Sequence, residues 1–408
     1  MSCGLISVYL STEPKISILG YWLYVSIFFS ILIYYEYEIS ETLFLFTIML
    51  FSACVFLYVF AYLIPLILDY SEKIFSSSKA YNYHGFENPR FLNQIQTWCI
   101  PLLIISHQYI TKNLNPNNKL KNTLLCISYF SISIYISLIL ITGGRGTIVA
   151  YLVSTILLWL YLGRSFSLFA WKVILFWLSG ITIFLIITQI IPNLIDTNSI
   201  ASGYSISRID DSGRFSMWLD SIKLIYQSPI FGIGPFMYTL HSDTVSHPHN
   251  SILWFTSEWG IPSTLSLSIL LIIPLFKYLY KIKKTAISKF GNESIQKQLF
   301  ISYGLALSIC TSIIHSLVSG IYLMPGSQLF GMLVVILSLS NYRKLKINNE
   351  HKTQTKNSIY LLFIFRTITI ALFLCTLTLL YQSIKYNNWN ESLSTGYSYP
   401  GFWLNGNL

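Results

Sequence analysis

Apolar runs dominate this chain. Long stretches of Leu, Ile, Phe, Val and Tyr recur along its length, separated by short polar breaks. Runs of about 18 or more apolar residues mark membrane-spanning helices, because about 20 helical residues are needed to cross the hydrocarbon core. The pattern predicts roughly ten spans, within a range of about eight to twelve. They fall near residues 17–35, 42–68, 91–110, 123–141, 148–162, 173–195, 261–280, 299–318, 321–341 and 358–381. The third is interrupted by Asn93, Gln94, Gln96, His107 and Gln108. Such groups turn towards the bundle interior in a bilayer, where they either line a cavity or pack against neighbours.

One long polar segment, residues 196–260, breaks this pattern. The expected fold is therefore an all-α polytopic integral membrane protein with one large outer loop carrying short surface helices. Its linear organisation is N-terminal spans in 1–195, the loop in 196–260, C-terminal spans in 261–381 and a tail in 382–408.

Composition agrees: 53% of residues are hydrophobic and 10% charged, against about 25% charged in soluble domains. The net charge of +10 would suit a nucleic-acid partner, but the basic residues lie in short clusters between apolar runs. That arrangement is the positive-inside signal, and no nucleic acid is expected. Residues 111–122, 163–172, 277–298 and 342–357 carry three, two, six and five Lys or Arg on one side, against nine on the other. The richer side is cytoplasmic, so the 196–260 loop and the shorter 142–147 loop face outward, which in a double-membraned bacterium means the periplasm. The six cysteines show no CxxC spacing, so neither a disulfide framework nor a zinc site is expected. A basic n-region with a short apolar core and cleavage site is missing at the start, so no cleavable signal peptide is expected.

Chemistry concentrates in the outer loops. In Asp210-Asp211-Ser212-Gly213-Arg214 an Asp or Ser is placed to cap a helix, with Phe215, Trp218, Leu219, Ile222 and Ile225 as its apolar stripe. This helix would lie along the membrane surface until Pro229 ends it. In His247-Pro248-His249-Asn250, Asn250 suits an N-cap for a helix of about two turns, stopped at Gly260-Ile261-Pro262. The loop Thr142-Gly143-Gly144-Arg145-Gly146-Thr147 sets an arginine among glycines, where backbone N–H groups can approach an anion. Arginine suits phosphate because its planar fork binds two oxygens at once, although Arg145 equally suits a snorkelling anchor. His247 and His249 would be half of a metal site, but no third ligand has the spacing, so no metal is expected.

Gly-Arg-Gly, then Ser-Gly-Arg with a following Trp, then His-Pro-His-Asn before Glu-Trp-Gly-Ile-Pro together resemble the O-antigen ligase and polymerase superfamily of bacterial inner-membrane glycosyltransferases. The ligases' histidine motif, H-[NSQ], nine residues, G-x-x-[GTY], is matched by His249-Asn250 and Gly260-Ile261-Pro262-Ser263, Ser263 departing from it. Pro229-Ile230-Phe231-Gly232-Ile233-Gly234 is similar to the family's P-[LFI]-x-G-x-G element. The motifs cover roughly residues 140–270.

The resemblance implies a GT-C-like enzyme that moves a glycan from undecaprenyl diphosphate to an acceptor hydroxyl, without nucleotide or other cofactor. The acceptor implied is lipid A–core or another glycan, with membrane lipids as surroundings. Arg145 and Arg214 match the family's essential arginines and His249 its essential histidine. Arg208, His247, Asn250, Glu258, His315 and Gln328 complete the candidate substrate-binding set. The competing readings are an O-antigen polymerase, a pilin O-oligosaccharyltransferase and, in a different class, a lipid-linked oligosaccharide flippase. A flippase would show internal repeats and broken helices at mid-membrane, and no repeat is found.

Overall fold

A computed structural model describes residues 2–35, 39–72, 84–86, 88–113, 119–194, 213–242, 247–288 and 293–345. Every regular element among them is helical. In chain order these are α1 (Ser2–Leu10), α2 (Pro14–Tyr35), α3 (Glu41–Ser71), α4 (Pro89–Asn113), α5 (Lys119–Ile141), α6 (Arg145–Leu162) and α7 (Arg164–Leu185). A π turn (Ile186–Ile190) and a last helical turn (Ile191–Leu194) prolong α7. There follow α8 (Arg214–Gln227), α9 (Tyr238–His241), α10 (Ser251–Ser288), α11 (Glu293–Ser316) and α12 (Pro325–Lys344).

Seven helices among the described residues are long and apolar enough to cross a membrane: α2, α3, α5, α6, α7 with its extension, α10 and α11. Two further predicted segments form helices, α4 and α12, 25 and 20 residues long. Their length suffices, but their polar content keeps them outside that group. The predicted span 358–381 and the 382–408 tail lie outside the described residues. The chain is a multi-pass membrane protein of helices.

Two boundaries differ from expectation. Residues 163–172, read as a loop, are helical from Arg164 onward, because Gly163 at φ 66° turns the chain directly from α6 into α7. Arg145, read as lying within a loop, is the first residue of α6. Helix α1 has no counterpart among the predicted elements.

The chain folds as two compact units: Met1–Glu38 with Asp210–Tyr278 and Ser316–Leu408, and Ile39–Ile209 with Leu279–His315. In the second unit α3 shows how a membrane helix can be apolar on both faces. Phe44, Ile48, Val55, Val59 and Tyr62 are buried, while Phe46, Leu50, Leu57 and Phe60 remain exposed. An exposed apolar face is costly in water but matches acyl chains.

Helix α4 is the inverse case. Asn93, Gln94, Gln96 and Thr97 are buried within the unit, so its polar residues pack against protein. Pro101 lacks the N–H that would bond the Thr97 carbonyl, and that carbonyl instead accepts the Tyr151 hydroxyl at 2.9 Å. The Trp98 carbonyl accepts Ser308 at 2.5 Å, and the Gln96 amide donates to the Tyr135 carbonyl at 2.5 Å. Without water in the bilayer core, freed backbone groups must find partners of this kind.

Helices α5 and α7 approach closely through small residues, the usual way to gain van der Waals contact inside lipid. Ser133 and Ser179 hydroxyls meet at 2.8 Å, and a Cβ on Gly180 would lie 2.6 Å from the Ile136 methyl. Gly180→Leu is expected to force these helices apart and destabilise the protein by about 1–3 kcal/mol, the usual range for overpacking. Gly180→Ala should have a smaller effect in the same direction. Thermal unfolding of the detergent-solubilised variants measures this, and a Leu variant as stable as the wild type would refute the close approach.

Candidate functional site

In the first unit, the Pro229–Gly234 turn is clamped onto the end of the 251–259 helix. Ile233 N–H bonds the Ser257 carbonyl at 2.9 Å, Gly234 N–H the Glu258 carbonyl at 3.0 Å, and Ile261 N–H the Pro229 carbonyl at 2.8 Å. Two glycines permit this approach. A Cβ on Gly232 would collide with the Glu258 backbone, and one on Gly260 with the Ile230 carbonyl. Both have positive φ, and Gly260 (φ 79°, ψ 165°) breaks α10 into two helices, 251–259 and 261–288. The stop expected at Gly260 is present.

Glu258 completes the clamp. It is 1% exposed, and its carboxylate oxygens accept the N–H groups of Phe236 at 2.9 Å and Tyr238 at 3.1 Å. Phe236, just after the turn, has a left-handed φ of 64°, an uncommon conformation for a bulky residue. The N-terminal helices close this frame. Ser7 donates to the Glu258 carbonyl at 3.0 Å, Gly4 sits against the Trp259 ring, and Gly20 against Pro235 and Phe236. Tyr21 stacks on Trp259 with ring centroids 6.0 Å apart, and Tyr24 meets Phe255 and Trp259 edge-on at 5.3 and 5.7 Å. Aromatic pairs of this kind contribute about 0.5–1.5 kcal/mol each beyond their buried area.

The histidine run sits at the start of that helix. Asn250 caps it as expected, its side-chain oxygen accepting Ile252 N–H at 3.0 Å and Leu253 N–H at 3.1 Å. His249, immediately before, has φ 51°. Backbone strain at a non-glycine residue persists where the surroundings enforce it, and it clusters at functional sites. His249 is half-buried and His247 buried, their rings 4.2 Å apart. His247 also packs against Gly320, and Ser251 donates to the Ser319 carbonyl at 3.2 Å.

Helix α8 is joined to this run by Trp218, whose indole N–H donates to the Pro248 carbonyl at 3.0 Å. Arg214 lies four residues before Trp218, hence on the same helix face. It is the first residue of α8 and follows Gly213, which has φ 71° and supplies no side-chain cap. Gly213 occupies the cap position, and Asp210, Asp211 and Ser212, among which the cap is expected, lie outside the described residues. Arg145 repeats the arrangement in the second unit, opening α6 after an uncapped Gly144. A cation at a helix start is disfavoured by the positive end of the helix dipole, typically by about 0.3–1 kcal/mol. An anion placed there would be held by both the guanidinium and the first-turn N–H groups.

These positions fall within one matched region. Residues 130–268 match the family described as O-antigen ligase. The match covers about a third of the chain and supports its resemblance to the O-antigen ligase/polymerase superfamily. No curated protein matches it.

The superfamily region extends from α5 to the first turns of the 261–288 helix and so contains Arg145, Arg214 and His249. Other expected site residues have different surroundings. Gln328 donates to the Tyr24 hydroxyl at 3.1 Å and the Tyr322 carbonyl at 2.7 Å, tying α12 to α2. His315 is buried in the second unit between the hydroxyls of Thr97 (2.8 Å) and Thr147 (3.4 Å). It thereby supports the turn that begins with Thr142, whose hydroxyl bonds Asn93 at 2.9 Å. Arg208 lies outside the described residues. On α8, Phe215, Leu219 and Ile222 of the expected stripe remain exposed, while Ser221 and Leu224 are buried. Ser7, Tyr24 and the glycines Gly4 and Gly20 carried no signal in the sequence, because only the packing of distant segments reveals them.

Glu258→Ala is expected to leave two buried N–H groups without acceptors and to destabilise the protein by about 1–3 kcal/mol per group. Glu258→Gln keeps one acceptor oxygen and should be milder. Thermal unfolding of both variants decides this, and equal stability of Ala and wild type would overturn the clamp.

Proposed function

We propose that this protein is a glycosyltransferase of the bacterial inner membrane that moves an O-antigen glycan from undecaprenyl diphosphate to an acceptor hydroxyl at the periplasmic face. The acceptor is lipid A–core. The observation that carries this reading is the O-antigen ligase match over residues 130–268, the stretch that holds the three residues with catalytic chemistry. The outward placement of the loop follows from the Lys and Arg distribution.

In this mechanism the acceptor oxygen attacks the anomeric carbon as the bond from that carbon to the diphosphate oxygen breaks. The neutral imidazole of His249 takes the acceptor proton, and undecaprenyl diphosphate departs with the bonding electrons. An imidazole suits this role because its reference pKa of about 6.5 leaves it largely unprotonated at neutral pH. Arg214, one helical turn from the Trp218–Pro248 hydrogen bond, offers its guanidinium to charge developing on the leaving phosphate. A fixed charge aimed at such a group is typically worth about 10²–10³ in rate. Arg145 has the same glycine-opened helix start and is assigned phosphate binding in its own right. Glu258, Asn250 and Gln328 serve as positioning residues, since their polar atoms are bonded within the protein.

Expression in strains lacking either the ligase or the polymerase tests the assignment. Restored attachment of O-antigen to lipid A–core, seen on a lipopolysaccharide gel, supports ligation. Restored ladder length instead reads as polymerisation, and an added pilin mass as protein glycosylation. His249→Ala should abolish attachment and leave lipid-linked glycan accumulating at the outer face. Arg214→Lys and Arg145→Lys should each lower the rate by about 10²-fold or more. Failure of His249→Ala to deliver donor outward would identify a flippase.

A further inference from the structure

The second unit contains a cavity of about 260 Å³ lined by none of the residues assigned to the proposed transfer. Five helices meet there: α3 through Leu45, the C-terminal end of α4, the N-terminal end of α7, the last turns of α10 and the first turns of α11. The last four of these ends lie in or beside the Lys- and Arg-rich segments, which assigns the cavity to the cytoplasmic face.

Three cations line it, Lys112, Arg164 and Lys297, and no Asp or Glu appears among its described lining residues. The Lys297 ammonium sits 4.9 Å above the Tyr109 ring, a cation–π contact that holds the charge at the wall. Arg164 and Lys112 are exposed, as groups waiting for a solvated anion would be. Beside the charges the wall is apolar, with Phe169 buried and Leu168 65% exposed. One buried polar group faces the space. Gln108 is 9% exposed, lines the cavity, and its side-chain carbonyl oxygen has no hydrogen-bond partner. A buried acceptor without a donor typically costs about 1–3 kcal/mol, so a ligand that donates there is favoured.

We propose that this cavity binds the headgroup of an anionic, hydroxyl-bearing phospholipid of the cytoplasmic leaflet, the phosphatidylglycerol class. The phosphate would lie among the three cations, a headgroup hydroxyl would donate to Gln108, and an acyl chain would run along Leu168. Basic pockets between helices on the cytoplasmic side recognise anionic lipid headgroups by this combination of charge and apolar wall. Phosphatidylcholine, zwitterionic and without a headgroup hydroxyl, lacks both features.

The full chain, purified in detergent, is titrated with dioleoylphosphatidylglycerol, dioleoylphosphatidylcholine or inorganic phosphate, with binding read by native mass spectrometry and thermal unfolding. Phosphatidylglycerol is expected to bind and raise the unfolding temperature, whereas phosphatidylcholine and inorganic phosphate are not. Lys112→Gln, Arg164→Gln and Lys297→Gln should each weaken that binding by about fivefold, and Gln108→Leu should narrow the preference for phosphatidylglycerol over phosphatidic acid. Two of these cations are exposed, so their variants should fold. Equal binding of both phospholipids, or full binding by a variant lacking all three cations, would overturn the site. A complete effect from inorganic phosphate would make it a free-anion site and refute the lipid.

Discussion

The first unit depends on one buried carboxylate. Glu258 holds the N–H groups of Phe236 and Tyr238 from inside the protein, and the turn bearing the Pro-Ile-Phe-Gly-Ile-Gly motif is thereby fixed to the helix that begins with the histidine run. Burying an ionisable group is unfavourable unless its oxygens find donors. The two backbone groups supply them, and the carboxylate in turn satisfies two donors inside an aromatic core. This exchange works only when turn and helix are both in place, so the clamp forms as a unit. The left-handed Phe236 and the broken helix at Gly260 are local costs that the clamp sustains.

The proposed chemistry draws on that rigidity. His249 stands at a capped helix start, with a strained backbone on one side and the Trp218 hydrogen bond to Pro248 on the other. In the proposed reaction, a base that takes a proton from a glycan acceptor benefits from being held before substrate arrives. The two arginines use another device. Each opens a helix after an uncapped glycine, where an ordinary protein would place an acid or a capping side chain. In the proposed reaction a phosphate would bring to each helix start the negative charge that such a position favours.

The second unit applies membrane logic to polar groups. Helix α4 buries its amides and hydroxyls among neighbours and repairs the gap left by Pro101 with the Tyr151 hydroxyl. His315 is enclosed by two threonines, Thr97 and Thr147. Helix α3, with both faces apolar, can meet protein on one side and lipid on the other.

Much of this was legible in the sequence. Apolar length determined the spanning helices, because the bilayer sets a minimum run that no other environment demands. The Asn250 cap and the stop at Gly260 were also readable, since capping and glycine chemistry act within a few residues. The motif order carried Arg145, Arg214 and His249 into the candidate site. What only the tertiary structure decided were matters of distance along the chain. Glu258 and Gln328 are candidate substrate ligands in the sequence, and only the fold shows Glu258 bonded to Phe236 and Tyr238 and Gln328 to Tyr24 and Tyr322. The first 25 residues gave no sign that Ser7, Tyr21 and Tyr24 close the motif frame, because packing between segments more than 200 residues apart leaves no local pattern. Periodicity and capping report on neighbours in sequence; burial and long-range hydrogen bonds exist only once the chain has folded.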